Sequence, residues 1–102
     1  MVAKVTISNI TLYEQSIAIF FNINWSMEDI ETLQAIVINT IKNCNIIEYI
    51  HGADIANVRF DHQETIFMLH FDVYSQSCWL TTESTVENDK LLTVQKILQK
   101  NI

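Results

Sequence analysis

The strongest constraint on the fold comes from a segment near the middle of the chain in which apolar and polar side chains alternate. Its apolar positions on one side are Phe67, Leu69, Phe71 and Val73. A period of two residues is typical of a β-strand with one buried face. After Ser75 and Gln76 the alternation resumes at residues 77–83, so we predict a β-hairpin made of residues 65–74 and 77–83.

Further strands and two helices are predicted on either side of this hairpin. Alternation predicts strands at residues 3–12, with a bulge near Ser8–Asn9, and at 16–23, and we predict two further short strands at 46–50 and 56–60. Ser26 and Ser84 each begin a helical pattern and are followed three residues later by an acidic residue, as in a capping box. We expect the first helix to end near Asn43. The predicted fold is α+β, in the order β-β-α-β-β-β-β-α, with an antiparallel sheet of five or six strands and both helices on one face.

Composition limits the classes of function. The 102 residues are 49% hydrophobic and 18% charged, which is typical of one globular domain spanning residues 1–102. A net charge of −6, with Arg59 as the one arginine, argues against nucleic-acid binding and against an anionic membrane surface. The longest apolar run, residues 17–21, is too short to span a bilayer, and residues 1–6 do not resemble a signal peptide. We therefore expect a cytoplasmic protein.

The two cysteines fit a reducing compartment. Cys44 and Cys78 are far apart in the chain and form no C-x-x-C motif. We predict that both are buried, reduced thiols, with Cys44 ending the apolar stripe of the first helix and Cys78 on the apolar face of the hairpin. A disulfide between them is the alternative that the sequence leaves open.

The second face of the hairpin combines aromatic and titratable side chains. A register that pairs Val73 with Cys78 aligns one uniformly apolar face and places Asp72 opposite Trp79 and His70 opposite Thr81. The other face then carries the interface candidates, which are Met68, His70, Asp72, Tyr74, Trp79 and Glu83. Such a mixture is typical of an interface, so we expect a non-enzymatic interaction module, most simply a homodimer.

Two other interpretations of this face remain. Exposed aromatic residues on a sheet also pack across strands for stability alone. A small ligand-binding or catalytic site would use His70, Asp72 and Glu83 instead. A metal would need a third ligand beside His70 and Asp72, either Glu83 or His62, and we predict neither a metal nor any other cofactor.

A second group of candidates lies in two predicted turns. His51 and Asp54 flank Gly52, for which we expect a positive φ, and Asp61 and His62 lie in the next turn. Turns collect functional residues, but they also select Gly, Asp and His for backbone reasons. No nucleotide-binding glycine pattern or zinc-protease motif accompanies these residues.

Three segments in the second half of the chain form a recognisable combination, namely Gly52-Ala53-Asp54, the alternating strand 65–74 and Ser77-Cys78-Trp79-Leu80. In these segments the chain resembles a family of small uncharacterised gammaproteobacterial proteins. It implies a bacterial single-domain protein. It implies no activity, because the family has no assigned function.

Overall fold

A computed structural model describes residues 4–84 and 87–102 of the chain. The strands are β1 (Ile7–Leu12), β2 (Ile17–Phe21), β3 (Cys44–His51), β4 (Ile55–His62), β5 (Thr65–Asp72) and β6 (Ser77–Thr82). The helices are α1 (Ile30–Ile41), which follows a 3₁₀ turn at Met27–Asp29, and α2 (Asp89–Lys100). The predicted order of elements is confirmed. The start of the first predicted strand, at residue 3, lies outside the described residues.

All six strands form one antiparallel sheet in the order β1-β2-β6-β5-β4-β3. Strands β3 to β6 form a meander, while the first hairpin joins it through β2 and β6. The predicted bulge in β1 is present between Ile7 and Asn9. The sheet therefore has two edges, β1 and β3, and its central strands are β6 and β5.

Both helices pack on the same face of the sheet. Ile30, Leu33, Val37 and Ile41 form the buried stripe of α1, and Leu91, Val94 and Leu98 form that of α2. These side chains belong to one core with the helix-facing residues of the strands, among which Phe60, Phe67, Phe71 and Leu80 are almost fully buried. We call the opposite side of the sheet the open face. Neither described helix has the length and apolarity that crossing a membrane requires.

The register of the second hairpin differs from the prediction by two residues. Phe71 pairs with Cys78, and His70 pairs with Trp79. The connection is a four-residue loop at residues 73–76, in which Gln76 has a φ of 57° and its N–H donates to the Val73 carbonyl. An even shift preserves the two faces, so the predicted apolar face is correct although its pairings are wrong.

Several predicted boundaries are also wrong. Strand β4 continues through His62, because a two-residue turn at Gln63 and Glu64, both with positive φ, closes the hairpin to β5. Such a turn matches the twist of the strands. The expected positive φ of Gly52 is wrong, and a Cβ at this position would lie 3.0 Å from Cγ1 of the exposed Ile55, a tight contact that this side chain would have to relieve.

Two predictions about the helix ends are also wrong. Cys44 is the first residue of β3 and is only partly buried, so it does not end the stripe of α1. Lys42 and Asn43, both with positive φ, turn the chain from the helix into the strand. Helix α2 begins at Asp89, and the Glu87 carboxylate accepts a hydrogen bond from Thr65 Oγ1 on β5.

Candidate interaction surface

A row of paired residues crosses the open face from edge to edge. The register places Thr11 beside Ala18, Ala18 beside Trp79, Trp79 beside His70, His70 beside Asn57, and Asn57 beside Ile50. Trp79 and His70 together occupy the middle of this row, because β6 and β5 are the two central strands of the sheet. The row therefore has an aromatic centre and an aliphatic end.

The side chains of His70 and Trp79 hold each other in place. Their rings are stacked, with centroids 4.8 Å apart and planes inclined by 10°. His70 Nδ1 lies 2.9 Å from Asn57 Oδ1, and Nε2 lies 2.9 Å from Thr81 Oγ1. These partners assign the tautomer in which Nδ1–H donates to the amide oxygen and Nε2 accepts from the hydroxyl. Burial lowers the pKa of His70, because it penalises the charged imidazolium.

Ion pairs flank this centre along one side. Met68 pairs with Arg59 in the strand ladder. The Arg59 guanidinium forms an ion pair with Glu83 and lies 4.0 Å from the Glu48 carboxylate. Arg59 Nε is buried and has no hydrogen-bond partner among the described residues. The arginine thus offsets two acidic side chains on a surface of an acidic protein.

The other two interface candidates lie at the hairpin loop. Asp72 is the last residue of β5, and its carboxylate accepts a hydrogen bond from the Ser75 N–H at 3.3 Å, which stabilises the loop. Tyr74 lies within the loop and is 92% exposed, so its predicted place in the strand is wrong. The structure thus gathers Met68, His70 and Trp79 on the strands and leaves Tyr74 beyond the strand ladder.

Sequence reasoning missed several members of this surface. Phe20 on β2 is 47% exposed and shares the open face with Ala18. Ile55 on β4 and Ile50 on β3 are exposed to a similar extent and lie on the same face, toward its opposite edge. The alternation in residues 16–23 did place Phe20 opposite the buried face. The missing information was the pairing of β2 with β6, which brings the first hairpin next to Trp79.

The loop candidates do not form one site. His51 and Asp54 lie at the β3–β4 turn, whereas Asp61 and His62 lie at the opposite end of β4. Asp61 and His62 are strand residues, which corrects their predicted position in a turn. His62 is buried, with Nδ1 2.9 Å from the Lys42 carbonyl oxygen, so it supports the chain where it leaves α1.

Metal and thiol chemistry receive no support from the geometry. Within residues 4–84 and 87–102, no group of three or more His, Cys, Asp or Glu side chains is arranged to hold a metal ion. Both cysteines are free thiols. Burial raises the pKa of Cys78, and burial together with the nearby Asp61 carboxylate raises that of Cys44 to about 11. Neither sulfur is therefore a ready nucleophile.

Comparison with known proteins supplies a family and no activity. A family model described as a protein of unknown function (DUF3630) matches residues 6–99. Neither the curated proteins nor the solved structures contain a significant match to the chain.

Proposed function

The chain belongs to the DUF3630 family, whose function is unknown, and we propose that it is a non-enzymatic protein-interaction module that self-associates through its open face as a two-fold homodimer. One observation carries this proposal. Trp79 lies at the centre of a sheet face opposite both helices, and its indole is fixed by stacking on His70. A rigid, central tryptophan is the usual energetic anchor of a protein interface.

The surroundings of Trp79 support the same function. Phe20, Met68 and Ile66 add apolar surface, and the polar groups beside them are paired with each other. An apolar centre within a polar rim is the common anatomy of a protein interface. Since a two-fold axis presents the same patch twice, this surface must complement itself, and flat aromatic and aliphatic side chains meet that requirement.

The rival function, a ligand-binding or catalytic site at His70, Asp72 and Glu83, lacks a supporting contact. Both ring nitrogens of His70 already have partners, in Asn57 and Thr81. The Asp72 carboxylate accepts from the Ser75 N–H, and Glu83 pairs with Arg59. Because each of these three groups already has a partner within the fold, they offer no common position at which a substrate could react.

We propose that the module acts in the bacterial cytoplasm. Two free thiols are compatible with a reducing compartment. The acidic chain carries a net charge of −6, so two copies repel each other at long range. Because salt screens that repulsion, self-association through a mostly apolar face should strengthen as ionic strength rises.

Light scattering at micromolar concentrations tests the proposal. We expect the wild type to show the mass of two chains and Trp79→Ala to show the mass of one, with an unchanged far-ultraviolet circular dichroism spectrum. A wild type that stays monomeric at all concentrations contradicts the homodimer. If Trp79→Ala unfolds the chain instead of dissociating it, the indole acts as core, and cross-strand packing is the better explanation of the face.

A further inference from the structure

The edge strand β3 is a second surface whose form suggests a partner. Seven of its eight residues are exposed, and these include Ile46, Ile47, Tyr49 and Ile50. Its outer edge pairs with no other described strand. Edge strands are usually protected by charged side chains, proline, a bulge or a covering element. Strand β3 has Glu48 and one bulge, but it contains neither lysine nor proline. A bulge between Ile46 and Glu48 interrupts the ladder, so the regular stretch runs from Glu48 to His51.

A groove runs beside this regular stretch, on the helix side of the sheet. Its volume is about 500 Å³. Ala35 and Ile38 of α1 form one wall, and Ile46 and Tyr49 of β3 form the other. A strand added to the free edge of β3 would send every second side chain into this groove, because side chains alternate between the two faces of a sheet.

The bottom of the groove contains a polar group that the fold leaves without a partner. Gln34 is 5% exposed and lines the groove, and its Nε2 has no hydrogen-bond acceptor among the described residues. A buried amide donor of this kind is costly unless something supplies an acceptor. The groove therefore combines apolar walls with one polar side chain whose amide nitrogen is enclosed and lacks an acceptor.

The charges at the groove restrict the partner. Glu31 lines the groove, and the residues that line it include no lysine or arginine. Glu48 lies on the opposite face of β3, 4.0 Å from the Arg59 guanidinium, so Glu31 is the carboxylate that faces a partner in the groove. An acidic segment would be repelled by Glu31 and by the net charge of −6, whereas a basic segment would be attracted.

We propose that β3 and the groove beside α1 bind an extended, basic peptide segment of another protein by strand addition, with apolar side chains at alternate positions filling the groove. Main-chain hydrogen bonds to the Glu48–His51 stretch supply affinity, and the groove selects the alternate side chains. The proposal is distinct from self-association through the open face, because strand addition uses the main chain of β3 and the groove on the helix side, whereas the open face is centred on Trp79.

Fluorescence anisotropy with two labelled peptides tests this inference. One octapeptide alternates valine with lysine, and its matched partner alternates valine with glutamate. We expect saturable binding of the lysine peptide and at least about tenfold weaker binding of the glutamate peptide. Absence of lysine-peptide binding up to millimolar concentration, or equal binding of both peptides, overturns the proposal.

Three variants locate the binding site. Ala35→Arg fills the groove from an exposed position of α1 and should weaken lysine-peptide binding about tenfold or more. Leu92→Arg, at an exposed position of α2 away from the groove, is the matched control and should bind like the wild type. Trp79→Ala should also bind like the wild type, which separates this result from that of the homodimer test. Equal binding by Ala35→Arg and the wild type contradicts a site in the groove.

A second outcome also contradicts the proposal. If β3 pairs with a second copy of the chain, the wild type does not bind the peptide and instead forms a dimer that Tyr49→Lys dissociates.

Discussion

The imidazole of His70 lies flat against the indole of Trp79, with ring centroids 4.8 Å apart and an angle of 10° between the ring planes. The two residues are direct neighbours on β5 and β6. Because Asn57 and Thr81 hold both nitrogens of the imidazole, the ring cannot turn without breaking two hydrogen bonds. The neutral histidine thereby fixes the aromatic side chain at the centre of the open face.

His70 should make stability depend on pH. Its pKa is lowered in the folded state, so the unfolded chain binds more protons as the pH falls below the ordinary value of 6.5. The free energy of unfolding should therefore decrease from pH 7 toward acid. We expect His70→Gln to flatten this decrease in urea titrations at several pH values. An identical pH profile for His70→Gln and wild type would show that the neutral ring has no stabilising role.

Neighbouring residues on opposite faces of β6 should differ strongly in their effect on stability. Leu80 is fully buried against the core, whereas Thr81 lies half-buried on the open face and contacts His70. Leu80→Ala should cost about 2–5 kcal/mol of unfolding free energy. Thr81→Ala removes one hydrogen bond and should cost about 1 kcal/mol. Equal shifts of the urea midpoint in the two variants would contradict the assignment of faces.

The thiols should resist labelling in the native state. Cys78 is 4% exposed, and burial raises the pKa of both cysteines, to about 11 for Cys44. At pH 8 we expect a thiol reagent to label Cys44 slowly and Cys78 only at the rate at which the chain unfolds, with Cys44→Ser and Cys78→Ser separating the two signals. Labelling of Cys78 as fast as in urea would place that side chain outside the core.

The local pattern of the sequence was sufficient for the order of elements and for the two faces of the central hairpin. Buried residues such as Phe71 and Leu80 alternate with outward-facing residues at a period of two. An error of two residues in the register therefore leaves every side chain on its predicted face. Loop conformation was not predictable in the same way. Gln63, Glu64 and Gln76 have positive φ without being glycine, so the turns carry no clear signal in their composition.

The candidate surfaces were predictable only in part, because each depends on contacts between distant segments. His70 and Trp79 were recognised as members of one face from their own hairpin. The proximity of Phe20 depends on the pairing of β2 with β6, and the groove beside Tyr49 depends on where α1 crosses the sheet. Neither arrangement follows from periodicity along the chain.

Sedimentation equilibrium of a charge-inserting variant on the open face is the most direct test of self-association. Phe20 is 47% exposed, so Phe20→Arg should leave the fold intact while placing an unpaired positive charge within the proposed apolar interface of each copy. Leu12→Arg, at a 41% exposed position on the other face of the same hairpin, is the matched control. The homodimer proposal predicts a wild type and a Leu12→Arg variant with the mass of two chains and a Phe20→Arg variant with the mass of one. Three identical masses, whether of one chain or of two, would contradict it.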